Sequence, residues 1–132
     1  MFSSGNVTVY VSNMDRAVKF YSETLGLKLA YHFGDHWASV VVGKGLTIGL
    51  HPASEQSPAG RRGSMSIGLE LSGSIQDAVK ILQAKGIQFK GPVDQGKAGS
   101  FAWFEDPDGN PIYLAQLNWG HVDQGQGEYP NG

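Results

Sequence analysis

The chain has 132 residues, 40% of them hydrophobic, which is enough for one core in one domain and excludes a disordered tail protein. Ten Lys and Arg against 12 Asp and Glu give a formal charge of -2, with no cationic surplus for a phosphate backbone, and the lack of cysteine excludes disulfides, thiolate metal sites and thiol nucleophiles. No stretch approaches the roughly 18 apolar residues of a membrane helix, and Met1-Phe2-Ser3-Ser4 lacks the charged start of a signal peptide. The expected location is therefore cytoplasmic, with neither nucleic acid nor membrane as a partner.

In chain order, residues 7–12 alternate apolar with polar and predict a strand. Met14, Ala17, Val18, Tyr21 and Leu25 then fall on one helical face, with Asn13 placed as N-cap and Gly26 placed to end the helix. Three strands follow at 27–32, 37–42 and 46–51, joined by a Gly34-Asp35 turn and a Gly43-Lys44-Gly45 hairpin. After a polar linker at 53–63 the order recurs. Residues 67–72 alternate, and Ile75, Ala78, Val79 and Leu82 repeat the first helix's stripe at a constant offset of 61, between a Gly73 or Ser74 start and a Gly86 stop. Short strands are expected at 87–90, 100–104 and 111–117, the last two joined by the turn Asp106-Pro107-Asp108-Gly109-Asn110. The fold class is thus α+β: two paired βαβββ modules, about 5–52 and 64–117, forming a curled mixed sheet around a cleft within a single domain at 4–118. Residues 119–132 read as a polar, mobile tail.

Alternation also assigns faces. If Val7, Val9, Val11, Leu46, Ile48, Leu50, Ile67, Leu69, Leu71, Ile112 and Leu114 cover the helices, the opposite faces carry Asn6, Thr8, Tyr10, Thr47, Gly49, His51, Ser66, Gly68, Glu70, Tyr113 and Ala115. Asn6, Thr8, Tyr10, Thr47, His51, Ser66, Glu70 and Tyr113 are the candidate ligand-binding residues, since aromatic area with a few convergent polar groups is the usual make-up of a small-molecule site. The same pattern arises where an antiparallel sheet simply faces water. Trp37, Phe101, Trp103 and Phe104 offer stacking surface, half of it expected in the core. His51 and Glu70 form a possible acid–base pair, His32 and His36 flank a turn, and Arg61-Arg62 lies in the linker. Residues 52–63 and 91–100 suit lids or plain connections. Gly96-Lys97-Ala98-Gly99-Ser100 lacks the glycine spacing and following helix of a phosphate loop.

Val7-Thr8-Val9-Tyr10-Val11-Ser12-Asn13-Met14-Asp15-Arg16-Ala17-Val18-Lys19-Phe20-Tyr21 with Leu25-Gly26-Leu27, and the closing Phe104-Glu105-Asp106-Pro107-Asp108-Gly109-Asn110-Pro111-Ile112-Tyr113-Leu114, resemble the two ends of the vicinal oxygen chelate superfamily. That superfamily includes glyoxalase I, bleomycin-resistance proteins and extradiol dioxygenases. The resemblance implies paired βαβββ modules around a cleft and assembly as a homodimer. In metal-using members it implies ligands at positions that here are Asn6, Gly49, Ser66 and Tyr113, none of them an imidazole or carboxylate. A metal-free small-molecule-binding protein of the bleomycin-resistance type, with no cofactor and an aromatic or polar ligand, is therefore expected. The alternatives are a metal-independent enzyme using Glu70, His51 or Tyr113, and an atypical metal-dependent lyase, isomerase or dioxygenase-like enzyme.

Overall fold

The computed structural model describes residues 1, 4–60 and 65–118 of the chain. The first alternating segment is strand β1 (Val7–Val11), and Asn13 caps the helix after it, its side-chain oxygen accepting from the Arg16 backbone N–H at 2.9 Å. One of the first turn's unpaired donors is thereby satisfied. Helix α1 (Met14–Lys19) continues into a π-helical turn (Phe20–Thr24) and stops at Gly26, whose φ of 73° a residue without Cβ adopts at little cost. Strands β2 (Lys28–Phe33), β3 (Trp37–Val42) and β4 (Leu46–Pro52) form an antiparallel meander, and β4 runs parallel to β1, giving the order β1-β4-β3-β2. The helix packs across β4 and β3. Val9, Val11, Ala38, Val40, Ile48 and Leu50 form the core on that side with Met14, Ala17 and Tyr21.

The second module repeats the arrangement with β5 (Ile67–Glu70), α2 (Ile75–Ala84), β6 (Asp94–Gln95), β7 (Gly99–Glu105) and β8 (Pro111–Leu117), in the order β5-β8-β7-β6. Here Ser74 is the N-cap, accepting from the Asp77 N–H at 3.2 Å, and the Gln116 side chain on β8 accepts from the Ile75 N–H at 2.8 Å. Ile67, Leu69, Ile75, Leu82, Ala102, Phe104, Ile112 and Leu114 are buried. The fold is α+β, with two four-stranded mixed sheets, each built by one βαβββ module. The described residues divide into two compact units, those within 1–66 with 105–111, and those within 67–104 with 112–118. Among the described residues no helix is long and apolar enough to cross a membrane.

Four expectations need correction. Residues 87–90 are not a strand: the Lys90 N–H donates to the Trp103 carbonyl at 2.7 Å, but Gly91 turns the chain and Pro92 has no N–H to continue the ladder. Pairing resumes at β6, inside the segment expected to be a loop, with Asp94 opposite Phe101 and Gln95 opposite Ser100. Val7, expected in the core, is 42% exposed, because alternation at a strand's first residue gives direction without cover. Ala115, expected on the open face, is buried, its methyl group too short to reach solvent.

The turn between β7 and β8 belongs to the first compact unit, and Asp106 explains why. Its buried carboxylate accepts from the backbone N–H groups of Asp108 and Asn110 at 2.9 and 2.8 Å, from the Asn110 side-chain amide at 2.7 Å, and from the Tyr21 hydroxyl at 2.8 Å. All four acceptor positions of the carboxylate are thus used. Asp108, its side chain 7% exposed, accepts from the Ser12 hydroxyl and backbone N–H and from Arg16. Burial, then the Asp106 charge, their hydrogen bond and Asp108 push the Tyr21 hydroxyl well above its ordinary value of 10.0. Tyr21 ionises earlier in the unfolded chain than in the folded one. Its contribution is therefore complete below about pH 10 and is lost as pH rises through the folded value. Y21F is expected to cost about 1–3 kcal/mol in urea unfolding at pH 7 and to decline less steeply than wild type above about pH 10; parallel alkaline declines would contradict this.

Candidate functional site

Cross-strand register sorts the open face of the first sheet into rows. Tyr10 on β1 lies opposite His51 on β4, Phe33 on β2 lies opposite Trp37 on β3, and the Ala38–Leu50 pairing puts Trp37 beside His51. Four rings therefore cross all four strands. His51 stands edge-on to both neighbours, with ring centroids 5.7 Å from Tyr10 and 6.3 Å from Trp37. The next row is Thr8, Gly49, Ser39 and Tyr31, and the one after it contains Thr47, Val41 and Lys28.

A β-bulge decides what β2 contributes. Leu29 pairs with Val40 and Tyr31 with Ser39, which leaves Ala30 without a partner. Unbroken alternation from Lys28 would turn Ala30 and His32 to the open face. The bulge turns Tyr31 and Phe33 there instead, and they are 56% and 58% exposed. Sequence reasoning missed both, since no glycine or other local signal marks an extra residue in Lys28-Leu29-Ala30-Tyr31-His32-Phe33.

Glycines set the depth of both open faces. A Cβ on Gly49 would lie within 3.0 Å of Cη2, Cζ2 and Cζ3 of Trp37, so the indole rests on the backbone of β4. In the second sheet a Cβ on Gly68 would come within 2.9 Å of Cζ, Oη and Cε2 of Tyr113. Tyr113 also meets Trp103, with centroids 4.8 Å apart, and Phe101 at 6.2 Å. Of the four aromatic residues expected to divide evenly between core and face, Phe104 alone is core; Trp103 is 41% exposed, and Trp37 and Phe101 are half-buried.

Thr8, Tyr10, Thr47 and His51 share the first open face, as expected. Asn6 is exposed ahead of β1 and accepts from the Thr8 hydroxyl at 3.2 Å, and Ser66 is exposed ahead of β5. Glu70 is exposed at the end of β5, opposite Ala115, while Tyr113 is half-buried opposite Gly68. His51 and Glu70 stand in different compact units. The Pro52 carbonyl lies 2.9 Å from His51 Nδ1; a carbonyl only accepts, so Nδ1 carries the proton and Nε2 of the neutral ring is an acceptor. His32 Nε2 is likewise occupied by the Gly34 carbonyl at 3.0 Å. Arg61, Arg62, His121 and the segment 119–132 lie outside the described residues. A depression of about 300 Å³ near the start of α1, lined in part by Ser12, Asn13, Asp15 and Asp35, contains none of the candidate residues.

The residues at the positions where the resemblance places metal ligands do not fit a divalent cation. Asn6 offers an amide, Ser66 a hydroxyl, Gly49 no side chain, and Tyr113 lies folded over Gly68. Imidazole and carboxylate are what such a site needs. Among the described residues no three His, Asp or Glu side chains are grouped closely enough to hold a metal ion. Any larger side chain at residue 49 must also displace the indole. G49A is therefore expected to destabilise the protein by about 1–3 kcal/mol in urea unfolding and to cost much less in a W37L background; an equal cost in both would show that Trp37 does not set the constraint.

The family model for the Glyoxalase/Bleomycin resistance protein/Dioxygenase superfamily matches residues 4–114. Among solved structures, TnmS3, an antibiotic binding protein from Streptomyces sp. CB03234, is 30% identical with a TM-score of 0.72, over 89% of this chain and all of that one. A superfamily member from Sphaerobacter thermophilus DSM 20745 is 25% identical with a TM-score of 0.71, over 88% of this chain and 98% of that one. The fosfomycin resistance protein FosX from Listeria monocytogenes, solved with Mn(II) and 1S,2S-dihydroxypropylphosphonic acid, shares the fold at 20% identity, with a TM-score of 0.69 over 89% of this chain and 93% of that one. No curated protein matches the chain. With the family model spanning most of its length, and a strand-helix-three-strand repeat in both halves, the chain belongs to the Glyoxalase/Bleomycin resistance protein/Dioxygenase superfamily.

Proposed function

We propose that the protein binds a small organic molecule without a metal, in the manner of the bleomycin-resistance branch, on open sheet faces lined with aromatic and hydroxyl side chains. The observation that carries this reading is Trp37 lying over Gly49, which fills with an aromatic ring a position where metal-using relatives are expected to place a ligand. Aromatic surface bounded by hydroxyl groups captures organic molecules by dispersion and a few hydrogen bonds. The likeness to TnmS3, an antibiotic binding protein, over 89% of the chain supports capture as the role. Binding is favoured over acid–base catalysis because the Nδ1 of His51 is held by a carbonyl of its own strand rather than by a carboxylate. A homodimer is part of the same reading, and a monomeric mass in sedimentation would remove it.

Thermal melts of metal-stripped protein test this directly. Zinc, nickel, manganese and ferrous iron are expected to leave the midpoint unchanged. A bound organic ligand at a hundredfold its dissociation constant adds about 2.7 kcal/mol and should raise the midpoint by roughly 8 to 15 °C. A shift of that size with a metal, or turnover of the bound compound that is lost in E70Q or H51F, would overturn the reading.

A further inference from the structure

We infer that the open face of the first sheet is the seat of one uncharged, planar aromatic ligand that carries a hydroxyl group, stacked on the Trp37 indole and donating its proton to His51 Nε2. This rests on the binding reading above and names the ligand class. The first observation is an unpaired polar group in the floor of the face. Ser39 is 8% exposed, and among the described residues nothing hydrogen-bonds its hydroxyl. A buried hydroxyl that no protein group satisfies is available to a polar ligand atom.

The second observation is the state of the two rings beside it. His51 has its Nδ1 committed to the Pro52 carbonyl, so the neutral ring turns an acceptor, not a donor, to whatever approaches Nε2. The Trp37 indole is fixed from beneath by the Gly49 backbone and makes its ring contact edge-on with His51. A plate held in place before binding loses little conformational freedom when a second flat ring stacks on it.

Length and charge narrow the class further. Tyr10, His51, Trp37 and Phe33 occupy four adjacent strands; His51 stands edge-on between Tyr10 and Trp37, so the flat part of the seat is the indole, with Phe33 on the next strand about 4.8 Å away and room for a small fused ring system between His51 and Phe33. The row holding those rings and the row of Thr8, Gly49, Ser39 and Tyr31 contain no carboxylate or ammonium group; Lys28 enters only in the third row. A charged ligand would be desolvated there without a counter-charge. The bulge at Ala30 is what brings Phe33 into the row, so β2 contributes the outer end of the seat through a backbone irregularity.

The test is calorimetric titration with 2-naphthol, its methyl ether and naphthalene-2-sulfonate, against wild type, H51F, H51Q and W37L, each variant first shown to melt cooperatively. Wild type is expected to bind 2-naphthol about 2- to 12-fold more tightly than the methyl ether, the worth of one neutral hydrogen bond. H51F, which keeps an edge-on ring and removes the acceptor, should abolish that difference, and H51Q, which restores an acceptor, should return part of it. W37L should weaken both neutral compounds, and the sulfonate should bind least. Equal affinity of wild type for the phenol and its ether, or a preference that survives in H51F, overturns the inference. Tight binding that is indifferent to W37L also overturns it, while leaving the broader binding reading intact with its ligand elsewhere. If wild type binds none of the three, this ligand class is wrong, and the metal and organic-ligand melts decide the broader reading separately.

Discussion

A buried carboxylate is the point on which much of the first unit turns. Asp106 is held below the surface in a turn that joins two strands of the second sheet, and it is tolerable there because each of its four acceptor positions is filled. Three of those bonds shape the turn itself. The fourth comes from Tyr21, which is fully buried under the first sheet on the segment that continues α1. The closing turn of the chain is in this way fixed to its opening helix, and Asp108 with Ser12 and Arg16 adds a second attachment nearer the solvent. An ionised group at 106 is worth its desolvation only with the whole set of donors present, so turn and helix are ordered together or not at all.

On the other side of each sheet the governing contact is a ring on a glycine. Trp37 over Gly49 and Tyr113 over Gly68 are the same device in the two modules, formed on β4 in the first and β5 in the second. In both, loss of a side chain on one strand lets an aromatic side chain from its neighbour lie flat. The result is a low, rigid aromatic surface where a taller side chain would stand up from the sheet. An imidazole at residue 49 would require the indole to leave first. The same fold can hold a cation in one member and stacking planes in another because the strands fix only where the positions are, not what occupies them.

The fold was largely legible because it depends on local periodicities. Two alternating segments, two apolar stripes at a common offset, the caps Asn13 and Ser74, and the stops Gly26 and Gly86 each report a local preference, and all of them agree with one architecture. The strand expected at 87–90 failed where a local apolar pattern met Pro92, which cannot donate to a ladder. The open face of the first sheet was legible in part. Thr8, Tyr10, Thr47 and His51 were found by alternation, whereas Tyr31 and Phe33 were not, because alternation presumes that no residue is skipped.

By itself, then, the sequence determined most of the strands and both helices, most of the residues that cover the helices, and that residues 6, 49, 66 and 113 carry no imidazole or carboxylate. These follow from side-chain chemistry and from periods of 2 and 3.6 residues, both of which are properties of a single segment. Only the tertiary structure decided that Ala30 is passed over, that four rings share one row, that the indole of Trp37 covers Gly49, and that Asp106 is bonded to Tyr21. Each of these is a relation between different segments, the widest spanning the 85 positions from Tyr21 to Asp106, set by which strand pairs with which and in what register.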